Sequence, residues 1–214
     1  MYMIILIEGN IGSGKSTLLQ ILKDKYKDRK DVHFVDEPVS EWMTIRDEGK
    51  SILELFYGNK EKYSFTFQIL AYITRLRLLL NVAEKYPEEI IICERSIFTD
   101  KFVFAKMLHQ QGYIDNIQWQ TYNYWFDTFK DKVSASFVIY VNTEPNICFE
   151  RIKKRNRNGE SDIPLEYLEH CHRLHQEWLD AKDCEQKVIT FNGNMEFDGT
   201  NKDVYTNNLS WLSI

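Results

Sequence analysis

Prolines and glycines are sparse, 4 and 9 in 214 residues, and nowhere do they gather into a linker, so a single domain over 1–214 is expected. No stretch approaches the roughly 18 consecutive apolar residues of a membrane span. The run Met1 to Glu8 lacks a basic flank and is too short for a signal peptide, so a soluble, cytoplasmic chain without a targeting peptide is expected. The four cysteines, Cys93, Cys148, Cys171 and Cys184, form no CxxC pair and no zinc spacing, which fits a reducing compartment. Positive charge is also in deficit: 27 Lys and Arg face 32 Asp and Glu, for a net charge of -5. A broad basic face is therefore excluded, and with it nucleic acid or a membrane surface as partner. A small anion in a local basic pocket stays compatible.

What the chain does contain is ordinary globular material, 43% hydrophobic and 28% charged. Short apolar runs at 3–7, 32–35, 89–93, 136–141 and 187–191 have the form of strands buried on both faces of a parallel sheet. Helical patterns lie between them, notably 65–86, with apolar residues at 65, 69, 73, 76 and 80, and 165–181. Alternation of the two implies βαβ units, hence an α/β fold with a parallel sheet flanked by helices. The tail at about 192–214 reads as irregular.

One spacing carries chemistry by itself. Gly9-Asn10-Ile11-Gly12-Ser13-Gly14-Lys15-Ser16-Thr17 satisfies GxxxxGK[ST] and stands between a predicted strand and a predicted helix at 18–26. Glycines let backbone N–H groups converge on phosphate oxygens, Lys15 bridges the β and γ phosphates, and Ser16 is placed to ligate Mg²⁺. This identifies a triphosphate donor such as ATP and leaves the acceptor open.

Residues at the carboxyl ends of the other strands open into the same crevice. Glu37 follows the second strand and is a candidate general base, with Trp42 as a flat wall nearby; a solvated loop glutamate is the alternative. Glu94 and Arg95 end the third strand, where Glu94 is placed to orient Mg²⁺ and Arg95 to neutralise oxygens near the reacting centre, or the two form a structural ion pair. Gln68, Ala71 and Arg75 share one helix face and leave a notch with polar walls, unless that face is simply exposed. Asp100 and Phe104 share another. Arg151, Arg155 and Arg157 finish a predicted helix ahead of Gly159-Glu160 and a loop before Pro164, and they resemble an anion-closing lid at about 153–163, the alternative being a basic, solvated helix end.

Taken in order, Gly9–Thr17, Glu37-Pro-Val-x-x-Trp42, Phe67-Gln68, Glu94-Arg95-Ser96 and Arg155-x-Arg157-x-x-Glu160 resemble the deoxynucleoside kinase family from residue 3 to about 191. The resemblance implies a P-loop kinase fold with a five-stranded parallel sheet, an arginine-bearing lid and a homodimer. It implies transfer of the γ-phosphoryl group of ATP or another triphosphate, with Mg²⁺, to the 5′-hydroxyl of a deoxyribonucleoside in nucleotide salvage. Lys15, Glu37 and Arg95 would be catalytic, with Glu37 as base. Tyr57 and Glu160 would hold the sugar 3′-hydroxyl, and Gln68 would read the base. Trp42, Leu53, Phe56, Phe67 and Phe104 would wall the pocket beside Ala71, while Arg151, Arg155 and Arg157 would cover the donor phosphates.

Arg75 and Asp100 resemble the deoxycytidine and deoxyguanosine kinases in particular, which points to deoxyadenosine, deoxyguanosine or deoxycytidine rather than thymidine. Gly159 departs from the pattern, since many relatives carry a glutamate there. A nucleoside monophosphate kinase shares the fold, and the family extends to a non-catalytic structural relative. The intact Lys15, Glu37 and Arg95 speak against the second, and the lack of a basic pair near Glu37 against the first.

Overall fold

The computed structural model describes residues 3–133, 135–157, 159–160, 163–181 and 187–197. Along the chain these form β1 (Met3–Glu8), α1 (Lys15–Lys25), β2 (Val32–Val35), α2 (Val39–Trp42), β3 (Arg46–Asp47), β4 (Lys50–Ser51), α3 (Ile52–Gly58) and α4 (Lys60–Lys85). Next come β5 (Ile90–Glu94), the short α5 (Ile97–Thr99), a π-helical segment Asp100–Ala105, α6 (Lys106–Gln110), α7 (Asn116–Phe129), β6 (Phe137–Asn142), α8 (Pro145–Arg155), α9 (Leu165–Leu179) and β7 (Lys187–Asn192).

Five strands make one parallel sheet in the order β2-β5-β1-β6-β7, while β3 and β4 pair apart as a small antiparallel hairpin. Ile5 of β1 lies opposite Ile92 of β5 and Phe137 of β6. The unbroken apolar runs follow from coverage on both faces. Ile4 and Leu6 pack with Leu76 and Leu79 of α4, whereas Ile5 and Ile7 pack with Leu18 and Leu22 of α1. Each such fully buried side chain contributes roughly 1.5–3 kcal/mol relative to exposure. After β1 the chain fills one side with β2 and β5, then crosses to β6 and β7. The crevice at this reversal, at the carboxyl ends of the strands, is where such sheets bind ligands.

The five expected strands are present, with no bound moved by more than one residue. The helix expected at 65–86 begins at Lys60, because the Asn59 side chain caps it by accepting the Lys62 N–H at 3.0 Å. The helix bearing Arg151 and Arg155 stops at Arg155, where Asn156 turns left-handed with φ 47°, so Arg157 lies beyond it. Asp100 and Phe104 do share a face, on a π-helical rather than an α-helical turn. Hairpin β3–β4 and helix α7 were not foreseen. Of the lid expected at about 153–163, Asn158, Ser161 and Asp162 lie outside the described residues, as do 198–214 of the expected irregular tail and Cys184.

Candidate active site

The phosphate loop is shaped by close approach as much as by freedom of rotation. At Gly12, with φ +77°, a Cβ would stand 2.6 Å from the Cys148 carbonyl oxygen, so only glycine lets the loop lie against α8. Lys15 is buried, 4% exposed, and its Nζ donates to the Asn10 carbonyl at 2.7 Å. Burial, reinforced by the Arg95 charge, lowers its ammonium to about 8.

A cavity of about 390 Å³ opens beside this loop at the sheet's carboxyl edge. Ile11, Gly12, Gly14, Lys15, Ser16 and Thr17 line one end, while Gly9, Asn10 and Ser13 sit behind them. Asn10 ties the loop to α9, its Nδ2 donating to the Leu168 carbonyl at 2.8 Å. All the other residues expected at the site line the same cavity: Glu37, Trp42, Leu53, Phe56, Tyr57, Phe67, Gln68, Ala71, Arg75, Glu94, Arg95, Asp100, Phe104, Arg151, Arg155, Arg157 and Glu160.

Two arginines from different elements converge on Glu37. Arg75 Nη2 from α4 and Arg95 Nε from the turn after β5, the latter at 3.0 Å, both donate to Oε1. Burial alone would raise this carboxyl, but the charges of Arg95, Arg75 and Lys15 outweigh it and hold Glu37 down at about 2. The alternative of a solvated loop glutamate is thereby set aside. Glu94 and Arg95 do not pair with each other. Instead the Ser16 hydroxyl donates to Glu94 Oε1 at 2.6 Å, placing two hard oxygen ligands side by side at the phosphate end.

The opposite end is aromatic and closed. Phe56 stacks on Phe67 at 4.8 Å, Trp42 meets Phe67 edge-on at 5.4 Å, and Trp42 Nε1 is fixed by Thr74 Oγ1 at 2.9 Å. Arg75 lies 4.9 Å over the Trp42 ring and Arg95 4.9 Å over the Phe104 ring. At the floor Arg75 Nη1 donates to Asp100 Oδ1. Gln68 Oε1 and Asp100 Oδ2 are buried and have no hydrogen-bond partner among the described residues. Orphaned acceptors of this kind are costly unless a ligand supplies donors.

At the mouth, Arg155 and Arg157 both bind Glu160, the latter at 3.1 Å. Arg151 differs: it donates to the carbonyls of Gly193 at 2.8 Å, Met195 at 3.0 Å and Ser13 at 3.3 Å, bracing the phosphate loop against the segment after β7. Burial, and then Glu160, raise the Tyr57 hydroxyl, so it stays protonated and able to donate.

Tyr167 of α9 also lines the cavity and was missed, since no spacing in sequence ties it to the site, and Val39 of α2, named only as part of the Glu37-Pro-Val-x-x-Trp42 pattern, lines it without having been given a role. Glu8 was missed too, although a charged residue ending an apolar strand is the signal that singled out Glu94.

Mg²⁺ fits the arrangement at Ser16 and Glu94, since a hydroxyl and a carboxylate are the oxygen donors it prefers. Among the described residues no group of three or more His, Cys, Asp or Glu could hold a metal ion by itself. A site of two ligands agrees with the habit of Mg²⁺ in phosphoryl-transfer enzymes, which complete its shell with substrate phosphates and water.

Known proteins resemble this chain over most of its length. A family model described as deoxynucleoside kinase matches residues 5–210. A probable deoxycytidine kinase of Fowlpox virus (strain NVSL) is 35% identical over 205 residues, covering 92% of this chain and 82% of its own length. Human deoxycytidine kinase is 36% identical over 196 residues, 82% of this chain and 74% of its own. Mitochondrial deoxyguanosine kinase of Xenopus laevis is 30% identical over 198 residues, 84% of this chain and 74% of its own.

Proposed function

The chain belongs to the deoxynucleoside kinase family, and from that premise we propose that its acceptor is a deoxyribonucleoside whose base carries an exocyclic amine: deoxyadenosine, deoxyguanosine or deoxycytidine. The observation that carries this reading is the pair of unpartnered acceptors, Gln68 Oε1 and Asp100 Oδ2, at the aromatic end of the cavity. An amino group supplies the donor they lack. Thymine has no such amine, and its methyl group would press on the Arg75–Asp100 pair.

In this reading the nucleoside lies with its base between Phe67 and Phe104 and its sugar between Tyr57 and Glu160, directing the 5′-hydroxyl at Glu37. Glu37 accepts the hydroxyl proton. A carboxylate held this low is a weak base, which suits a loose transition state in which the attacking oxygen becomes acidic only as the phosphoryl group arrives. Arg95 holds Glu37 in place and adds positive charge beside the 5′ oxygen. Lys15 and the loop N–H groups hold the β and γ phosphates of ATP, and Arg155 and Arg157 close over them from the lid. Ser16 and Glu94 would hold Mg²⁺, which would supply neutralisation of phosphate charge.

Salvage of deoxynucleosides in the cytoplasm, in one kinase domain spanning 1–214, follows as part of the proposal, supported by the free and buried thiols of Cys93, Cys148 and Cys171. No helix among the described residues is long and apolar enough to cross a membrane. We also propose a homodimer through α4 and α7, which Tyr72 links by donating to the Trp125 carbonyl at 3.1 Å. Ile117, Tyr124 and Trp125 of α7 and Ile73 of α4 are 72%, 77%, 43% and 44% exposed, an apolar surface suited to a second copy. No specific observation favours the monophosphate kinase or the non-catalytic relative.

The test is kcat/KM of purified protein with ATP and Mg²⁺ for all four deoxyribonucleosides. Preference for an amino-bearing base is expected. Preference for thymidine would overturn the base assignment and keep the kinase, and silence with all four would overturn both.

A further inference from the structure

Arg95 is poised for Glu37 by a backbone that side-chain-bearing residues rarely adopt. Its φ is +66°, in the left-handed region, where a residue other than glycine persists only if its surroundings over-determine it. Two of the restraints act on its own backbone, one from β1 and one from two residues earlier. The Arg95 N–H donates to the Ile7 carbonyl at 2.9 Å, and the Arg95 carbonyl accepts from Cys93 Sγ at 3.1 Å.

The third restraint comes from a residue the phosphoryl transfer does not use. Glu8 ends β1 directly before Gly9, is 0% exposed and lies off the cavity wall. Its two carboxyl oxygens are divided between the two hydroxyls that follow Arg95: Ser96 Oγ donates to Oε1 and Thr99 Oγ1 to Oε2. Ser96 Oγ in turn accepts the Phe98 N–H at 3.1 Å, so the same hydroxyl starts α5 and clasps Glu8. The Asp100 N–H donates to the Ser96 carbonyl at 3.3 Å, so the hold extends to the floor of the base pocket. A buried carboxyl with so few donors is a poor stabilising device, and fixing geometry is a use such a residue can serve.

We propose that Glu8 is a positioning residue for the transfer: its carboxyl group latches the turn after β5 to the root of the phosphate loop, so that Arg95 keeps its Nε on Glu37 and its guanidinium over Phe104. The latch joins the two halves of the site, the loop that holds the donor and the turn that holds the base. It rests on the reading of Glu37 as the base.

The test compares kcat and KM of Glu8→Ala, Glu8→Gln and Thr99→Val with those of wild type and Glu37→Gln, each rate normalised to the folded fraction from thermal melting. Glu8→Ala is expected to lower kcat about 10- to 100-fold, the scale of a misplaced catalytic group, with KM for ATP within about twofold because the phosphate loop is untouched. Glu8→Gln keeps one acceptor oxygen, and its amide can donate to the second hydroxyl, so kcat should recover to within about threefold. Thr99→Val, which keeps the volume and removes one tether, should fall in between.

A merely structural Glu8 would lower the melting temperature and leave kcat of the folded enzyme at the wild-type value, which overturns the proposal. Should Glu8→Ala not fold, Thr99→Val decides: a wild-type kcat there overturns the latch and a reduced one supports it. Near-normal turnover in Glu37→Gln would overturn the base assignment and with it the role given to the latch, whereas a fall in Glu37→Gln with wild-type kcat across the Glu8 series would overturn the latch alone.

Discussion

Arg75 and Asp100 form an ion pair at the floor of the cavity, 6% and 1% exposed, through Nη1 and Oδ1. The second guanidinium nitrogen of Arg75 goes to Glu37. One side chain therefore joins the residue that would read the base to the residue that would take the proton. Burial pushes the Asp100 carboxyl above the usual carboxylate range, a rise that the Arg75 charge and hydrogen bond only partly offset, while the guanidinium keeps its own proton.

Opening that floor should change the substrate. Arg75→Met with Asp100→Ala removes both charges together and leaves room for a methyl group, so the thymidine to deoxycytidine ratio of kcat/KM is expected to rise about 10- to 100-fold. An unchanged ratio would place base selection elsewhere. The single change Asp100→Ala should be the worse enzyme, because it strands Arg75.

Glu37→Gln keeps the shape of the site and removes the base. Turnover should fall about 10²-fold or more while nucleoside binding, measured by calorimetry, survives. The same variant tests the charge balance. Glu37 is held at about 2 in the folded protein against about 4.3 unfolded. Its ionisation therefore stabilises the fold fully above about pH 4.3, and that contribution is lost as pH falls toward 2. Acid-unfolding curves of the two proteins should differ above that window and converge within it.

Gly159 has φ +85°, and a Cβ there would stand 3.3 Å from the backbone N and Cα of Glu54. Gly159→Ala should strain the lid turn by about 1–2 kcal/mol and disturb the adjacent Glu160, lowering kcat/KM for the nucleoside about five- to thirtyfold. Unaltered kinetics would mean that the lid turn relaxes without consequence.

Activity should disappear with a chelator and return with Mg²⁺. In Glu94→Gln the Mg²⁺ concentration for half-maximal rate is expected to rise about 10-fold or more, since the partner of Ser16 loses its charge. A rate curve that overlays wild type would remove Glu94 from the metal.

The sheet and the phosphate loop were legible in the sequence because both are local. An apolar run covered on two faces and a glycine spacing with one lysine each identify themselves. Gln68, Ala71 and Arg75 were legible for the same reason, as helical spacing alone puts them on one wall. Glu8 was not: the hydroxyls that hold it lie 88 and 91 residues away, and no period links positions brought together by strand pairing. The lid was read as three arginines, yet Arg151 faces backbone carbonyls across β7, an assignment that depends on where the chain returns after α9. The π-helical turn at Asp100 was hidden as well, since a spacing of four reads as an ordinary helix.

In the parallel sheet every strand delivers its carboxyl end to the same rim, and apart from Glu8 and Glu94 the residues discussed at the site lie on turns or helices beyond the hydrogen-bonded ladder. Positions such as Gln68, Arg75, Asp100 and Gly159 can thus be exchanged without unzipping a strand. The molecule keeps its architecture and most of its chemistry on separate parts of the chain, so the floor of the pocket can be rewritten by exchanging Arg75 and Asp100 together while the sheet that carries the fold is left alone.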